Sequence, residues 1–297
     1  MRRFLVTGFG VLHGLLGDPN PSTGEEIASL SVNGCRRAAT VITPYDPARH
    51  KETYKVFSHI YDFQGDHPVT KGLGGFDTHQ RGICIGWRMT RVGQRTLDSW
   101  HMKDCSQRAV PRTLETFSTA SGMPGHRLKV DWRDAQNSTF IQESRQLTIL
   151  PDSGNVRLIE VASELISRKG EIQLRGDHHH AGMQIRLANE VCRHPWNVRF
   201  TIPRHARWAR DESVLGGSWI CCRFTVRGKA HSLLHMTPPR VLDELPIYSA
   251  RAYGRLGAFF ERTLQEGNPF RIRSVIALSE RPLDEDDCED LFRMTCS

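Results

Sequence analysis

The stretch from Gly176 to Glu190, GDHHHAGMQIRLANE, combines several side chains that can take part in chemistry. Three consecutive histidines follow a Gly-Asp turn signal, and apolar and polar residues then alternate, which is typical of a β-strand with one buried face. An unbroken strand would place its polar face in one row, formed by His180, Gly182, Gln184, Arg186, Ala188 and Glu190. An imidazole, an amide, a guanidinium and a carboxylate, separated by small residues, predict a polar ligand site on a sheet.

Four other segments contain polar residues of the same kinds. They are His79-Gln80-Arg81-Gly82, Trp100-His101, His235 at the end of a hairpin strand, and Tyr248 with Tyr253-Gly254-Arg255. Loops and strand ends are where sheet scaffolds hold functional groups. Titratable groups beside arginines in a cleft are site candidates, so we expect His79, His101, His180 and His235 to be functional.

Two kinds of chemistry fit these residues. In the first, histidine and carboxylate act as acid and base at the hydroxyls or anomeric carbon of a sugar, and the other polar groups bind it. The catalytic candidates are His79, His101, His180 and Glu190, and the substrate-binding candidates are Arg81, Trp100, Gln184, Arg186, His235, Tyr253 and Arg255. In the second, His79, His101, His180 or His235 hold a metal, although no H-x-x-E-H spacing occurs, so the cofactor stays unknown.

Composition limits the classes of partner. The chain has 297 residues, 38% of them hydrophobic and 25% charged, as in a globular protein with a substantial core. Its net charge is +7, but the basic residues are scattered and form no nucleic-acid-binding arm. No apolar run approaches the ~20 residues that span a bilayer. We therefore expect a small-molecule or oligosaccharide ligand, no nucleic acid and no membrane span.

The expected compartment is the cytoplasm. The eight cysteines include no C-x-x-C pair and suit reduced thiols. The opening MRRFLVTGFGVLHGLLG leaves export as the alternative if it acts as a signal.

Ten or more short strand patterns separated by turn signals predict an all-β fold, a large antiparallel sandwich. Only residues 284–294 favour a helix, because their acidic first turn suits the helix dipole. We expect residues 1–40 to be an appendage and residues 41–297 to form one β-sandwich domain.

Several ordered motifs resemble one bacterial family. They are YKVFSHIYDFQGDHPVTKGLGGFDTHQRG, Trp100-His101, GDHHHAGMQIR, NEV and YSARAYGRLGAFFE. Together they resemble the family labelled methane oxygenase PmoA, from about residue 45 to the C-terminus. That family usually has a second histidine where this chain has Gln80. The resemblance implies a β-sandwich of the galactose-mutarotase type with its site on a concave sheet face.

Three functions follow as hypotheses. The first is an enzyme of carbohydrate metabolism that catalyses epimerisation, elimination or hydrolysis. The second is a carbohydrate-binding module without catalysis. The third is a metal-dependent oxygenase, as the family label suggests.

Overall fold

The computed structural model describes residues 27–103, 105, 107–239, 242 and 244–296. Strands dominate this part of the chain. In chain order they are β1 (Ile27–Val32), β2 (Cys35–Val41), β3 (Phe57–Ile60), β4 (Ile83–Trp87), β5 (Met89–Val92), β6 (Arg95–Leu97), β7 (Gln107–Ser118), β8 (Pro124–Asp134), β9 (Thr139–Ser153), β10 (Val156–Ser167), β11 (Ile172–Arg175), β12 (Ala181–Arg186), β13 (Arg199–Thr201), β14 (Arg207–Trp208), β15 (Ser213–Leu215), β16 (Trp219–Val226), β17 (Lys229–Met236), β18 (Ile247–Arg251), β19 (Arg255–Phe259), β20 (Arg262–Leu264) and β21 (Phe270–Ser279).

Helices are short and few in the described chain. They are α1 (His50–Thr53), α2 (Asn189–Arg193) and α3 (Glu285–Cys296), with 3₁₀ turns at Pro47–Arg49 and Pro195–Asn197. None of them is long and apolar enough to cross a membrane, as far as the described residues go.

The strands form three sheets. The front sheet has the order β1-β2-β3-β4-β12-β19-β18-β15-β14, and the back sheet has the order β13-β16-β17-β21-β10-β9-β8-β7. A small sheet of β20-β11-β5-β6 completes the set. The paired strands of the front sheet around the centre run antiparallel, as do the long pairs of the back sheet. The predicted all-β antiparallel class is confirmed.

Alternating residues of the two large sheets form the main core. In β8, Leu128, Val130 and Trp132 are buried, whereas Arg127 and Lys129, which alternate with them, are exposed. The period of two matches the pleat of a strand, which sends successive side chains to opposite faces. These β8 residues pack in one cluster with front-sheet residues such as Ile85, Met183 and Leu256.

A buried ion pair connects the back sheet to the front sheet. Arg145 of β9 donates from Nε to Glu143 Oε1 at 2.7 Å, and its Nη1 donates to the carbonyl oxygen of Val56 at 2.9 Å. Trp132 and Ser163 also donate to the Glu143 carboxylate, at 2.8 and 2.7 Å. The network fixes the chain where it enters β3.

The predicted C-terminal helix is confirmed as α3. It covers the outer face of the back sheet, where Cys288 and Leu291 pack in a second apolar cluster with Trp219 and Leu234. The Trp219 indole donates to Glu289 Oε1 at 3.1 Å, which ties the helix to β16.

The N-terminal division stays a prediction. Residues 27–40 lie in β1 and β2, and β2 pairs with β3 of the front sheet. The expected appendage therefore has described structure only for its last part. Residues 1–26, which include the possible signal segment, lie outside the described residues.

One expectation about the central strand is wrong. The alternation of residues predicts a strand that reaches Glu190, but β12 ends at Arg186 and α2 begins at Asn189. In addition, every residue of β12 is buried, and the chain between β3 and β4 lies beside the end of this strand, where Lys71 N donates to the Arg186 carbonyl at 2.8 Å. The open polar row therefore does not exist.

Candidate functional site

An open cavity of about 690 Å³ lies beside the ends of β12 and β19. Four segments that are distant in sequence supply most of its lining: the loop before β4, the turn after β6, the loop before β12 and the β18–β19 hairpin. The lining residues are Asp77, His79, Gln80, His101, His179, His180, Pro195, Glu212, Arg251, Ala252, Tyr253 and Arg255.

Two aspartate–histidine pairs face this cavity. His101 Nδ1 lies 2.7 Å from Asp98 Oδ2, and His180 Nδ1 lies 2.7 Å from Asp177 Oδ1. The two imidazole centroids are 5.4 Å apart. Because Nδ1 of each ring is held by a carboxylate, Nε2 is the nitrogen left for a substrate.

Both pairs are built by the same local turn. The Asp98 carboxylate accepts the backbone N–H groups of Trp100 and His101, at 3.1 and 2.8 Å. The Asp177 carboxylate accepts the backbone N–H of His179 at 2.9 Å. An aspartate whose side chain accepts a hydrogen bond from the backbone N–H about two residues later is common in turns. Here it also brings the histidine three residues later onto the same carboxylate.

These hydrogen bonds shift the aspartate pKa values. Burial acts to raise the pKa of Asp98, but the hydrogen bonds from His101 outweigh it, and the net pKa is lowered. Burial likewise acts to raise the pKa of Asp177, but the hydrogen bonds from His179 and His180 outweigh it, and the net pKa is lowered. Both carboxylates are therefore ionised at neutral pH and can stabilise an imidazolium beside them.

Two more histidines complete the cluster. The His79 ring centroid lies 4.5 Å from that of His101, and the His179 centroid lies 6.4 Å from that of His180. Burial, followed by the charge of Lys55, lowers the pKa of His79 to about 2. Burial also lowers the pKa values of His179 and His180. All three imidazoles are therefore neutral at pH 7, but a pKa of about 2 makes His79 too weak a base to take up a proton there.

A buried lysine holds the cavity loops in place. Lys55 Nζ donates to the carbonyl oxygen of Trp100 at 2.5 Å and to that of His79 at 3.1 Å. One ammonium group thus joins the His79 loop to the turn that contains His101. Trp100 itself is buried, with its ring 5.8 Å from that of His180 in an edge-on arrangement. It packs behind the histidine and does not line the cavity.

Two predicted binding arginines lie below the cavity surface. Arg81 is fully buried and donates to the carbonyl oxygens of Thr78 and Glu52, with its guanidinium over the Tyr54 ring. Arg186 is also fully buried, donates to the carbonyl oxygens of Tyr253 and Gly254, and stacks on the Tyr253 ring. Both shape the loops that surround the cavity.

Arg255 and Tyr253, two of the substrate-binding candidates, line the cavity. Arg255 Nη1 donates to the carbonyl oxygen of His179 at 2.8 Å, and its Nη2 donates to Ser249 Oγ at 2.9 Å. The same hydroxyl lies 2.8 Å from His179 Nδ1. Arg255 therefore orients the loop that contains both His179 and His180.

Three predicted residues lie away from the cavity. Gln184 is buried and donates to Cys84 Sγ at 3.0 Å. The Glu190 carboxylate accepts the backbone N–H of Arg227 at 2.9 Å. His235 is fully buried in the back sheet, and its ring lies 5.5 Å from that of Tyr248. Burial lowers the pKa of His235 to about 3, so it stays neutral in the core.

Sequence reasoning missed the aspartates. Asp98 and Asp177 were not among the candidates, although D-S-W-H at 98–101 and D-H-H-H at 177–180 share the spacing D-x-x-H. This repeat was the signal that could have identified the two pairs. His179 was also missed, because adjacent histidines at a turn usually point to solvent.

No metal centre is defined within the described ranges: no group of three or more His, Cys, Asp or Glu has the geometry to hold an ion there. A second cavity, of about 560 Å³, lies on the other side of the 176–180 loop. Asp177 and His178 line it together with Leu245 and Phe260. The loop with the Asp177–His180 pair thus separates two cavities.

Comparisons with solved structures gave two distant likenesses. A GalM/aldose epimerase homologue from C. elegans is 9% identical, with a TM-score of 0.36, and the match covers 86% of this chain and 98% of that one. A putative kojibiose phosphorylase from the human microbiome is 8% identical, with a TM-score of 0.33, and the match covers 88% of this chain but only 35% of that one. At these TM-scores neither likeness supports an inference about this chain.

Sequence comparison corrects the expected family. No curated protein matches the chain. The resemblance to the family labelled methane oxygenase PmoA is wrong, because the family model that matches has another description, a family of unknown function, and the oxygenase hypothesis that came from the label has no basis. That match extends over residues 29–293, so the chain belongs to the family of unknown function DUF6807.

Proposed function

We propose that this protein is an enzyme that transfers protons on a small hydroxylated substrate, such as a sugar or modified sugar. The observation that supports the proposal most directly is the pair of Asp–His units, whose imidazole centroids are 5.4 Å apart at the cavity. Two bases at one cavity can act as acid and base on the same substrate.

The roles follow from the geometry. Neutral His180 accepts a proton at Nε2, and Asp177 at its Nδ1 stabilises the imidazolium that forms. His101 with Asp98 supplies the second proton site in the same way. The two rings have interchangeable roles in a reversible reaction such as epimerisation, since the acid in one direction is the base in the other.

The test is a screen for proton exchange. We would incubate the protein with a panel of mono- and oligosaccharides in D₂O and follow deuterium incorporation, anomeric exchange and bond cleavage by NMR. His180→Ala and His101→Ala should each lower the rate by about 10²-fold or more, the usual contribution of a positioned acid or base. His205→Ala, on an exposed residue that does not line the cavity, is the matched control.

The outcomes separate two classes of protein. Full activity in His180→Ala would remove this residue from the mechanism and contradict the proposal. Measurable affinity for a saccharide without turnover by the unaltered protein would instead identify a carbohydrate-binding module, the second hypothesis from the sequence.

A further inference from the structure

Four buried cations surround the lower part of the histidine cavity, and their hydrogen bonds end on neutral acceptors. Lys55 donates to two carbonyl oxygens, and Lys71 donates to those of Gln80 and Asp77 at 2.9 and 3.4 Å. Arg186 also bonds carbonyl oxygens, and Arg255 bonds one carbonyl and one hydroxyl oxygen. In the described ranges, none of the four forms an ion pair with a carboxylate. A buried charge without a counter-ion is costly, and burial lowers the pKa of Lys55 and lowers that of Lys71 to about 8. The two arginines stay protonated, so an anion would be bound favourably here.

Arg255 is the cation that a ligand can reach. It is only 1% exposed, yet it lines the cavity. A guanidinium has five N–H donors, and the two described bonds of Arg255 use one on each terminal nitrogen. Its Nε has no hydrogen-bond partner within the described chain.

The carboxylates near the cavity do not satisfy Arg255. Glu212 forms an ion pair with Arg251, and Asp98 and Asp177 each hold a histidine. Asp77 acts electrostatically on Lys71 and Arg186, and Asp177 acts on Arg255, but within the described residues neither carboxylate forms an ion pair with the Arg255 guanidinium. The guanidinium of Arg255 therefore still has donors for an anionic ligand.

We infer that the substrate of this site carries a carboxylate, which Arg255 receives, and that it belongs to the sugar acids, such as hexuronates. The inference rests on the proposed function for the location of the site and adds the charge of the substrate. A planar guanidinium matches the two oxygens of a carboxylate in a bidentate arrangement. In this position the negative group would lie next to the two Asp–His pairs.

Equilibrium binding provides the test. Calorimetry would compare glucuronate, galacturonate and mannuronate with glucose, galactose and mannose, and with glucose 6-phosphate, all at constant ionic strength. We expect at least one uronate to bind about 10- to 100-fold more tightly than its neutral sugar, the range of one charge-assisted bidentate contact. Arg255→Gln should abolish this preference, Arg255→Lys should retain part of it, and Arg204→Gln on the exposed surface should leave it unchanged.

Each result bears on the inference separately from the proposed function. Equal affinity for acid and neutral sugars, no binding of any uronate, or tighter binding of the phosphate would overturn it. The comparison within the unaltered protein decides this even if the Arg255 variants fail to fold. Uronate binding without any proton exchange would overturn the proposed function and leave the carboxylate inference intact.

Discussion

His101 and His180 are oriented by the aspartates three residues before them. Each carboxylate accepts backbone N–H groups of its own turn and also meets Nδ1 of the histidine. Such a unit needs no distant partner, because the spacing alone brings the two side chains together. The charge state follows from the same contacts, since the lowered aspartate pKa keeps a negative charge beside each imidazole.

His235 is the opposite case, a histidine that is fully buried in the back sheet. Both of its ring nitrogens lack a partner in the described chain, and it pairs across strands with Ile220 and Ile276. The sequence around His235 does not predict that its ring is buried without a partner, because this burial depends on the neighbouring strands of the back sheet.

Replacing His235 with leucine should therefore stabilise the protein without affecting activity. The change removes two unsatisfied polar atoms from the core, and we expect the free energy of unfolding to rise by roughly 1 kcal/mol. Urea unfolding at pH 7.5 measures the effect, with His205→Leu as a surface control expected to stay within about 0.5 kcal/mol. A large loss of stability, or a loss of activity, would show that the imidazole has a polar role.

At the scale of elements, two glycines bring the site together. Gly86 of β4 and Gly182 of β12 are cross-strand partners. A Cβ added to Gly86 would lie 2.5 Å from the carbonyl oxygen of Ser99, and one added to Gly182 would lie 2.5 Å from that of Ala258. The missing side chain of Gly86 lets the turn that contains Asp98 and His101 approach the sheet.

Gly86→Ala should therefore reduce both activity and stability. The Ser99 carbonyl is backbone and cannot move alone, so the whole Asp98–His101 turn would shift away from His180. We expect a loss of about 2 kcal/mol or more in unfolding free energy, typical of overpacking, together with a lower proton-exchange rate. Thermal unfolding and the NMR assay measure the two effects. Gly72→Ala, whose added Cβ would lie 3.6 Å from the His59 ring, is the matched control; an equal loss in both variants would refute this reasoning.

At the scale of the whole molecule, the interior contains neutral histidines as well as cations. Burial lowers the pKa of His59 and of His126 to about 4 and that of His235 to about 3. The unfolded chain takes up these protons near the ordinary value of 6.5, whereas the folded protein resists them. Stability is then complete above that value and is lost as the pH falls toward each folded pKa.

Acid should therefore destabilise this protein steeply. Between about pH 6 and pH 4, each buried neutral histidine removes up to about 1.4 kcal/mol of unfolding free energy per pH unit. Urea unfolding at intervals of half a pH unit measures the slope. In His235→Leu, the unfolding free energy should fall less steeply with decreasing pH, because one of the buried neutral histidines is absent. A free energy of unfolding that stays constant from pH 7 to pH 5 would contradict this account.

The amino-acid sequence by itself determined the local features, which depend only on residues close together along the chain. Alternation of apolar and polar residues predicted the strands, the acidic turn at 284–287 predicted α3, and the D-x-x-H spacing already contained both Asp–His pairs. These features follow from the geometry of a single strand, helix or turn, so a local pattern is enough to define them.

Only the tertiary structure decided which distant groups share a cavity. The pairing of β12 with β4 on one side and β19 on the other brings His180 to His101 and to Arg255. The same pairing buries Arg186, and the fold places His235 in the core and Glu190 on a helix beside Arg227. Strand order and burial depend on the packing of the complete sheets, to which every strand contributes, and no short segment contains that information.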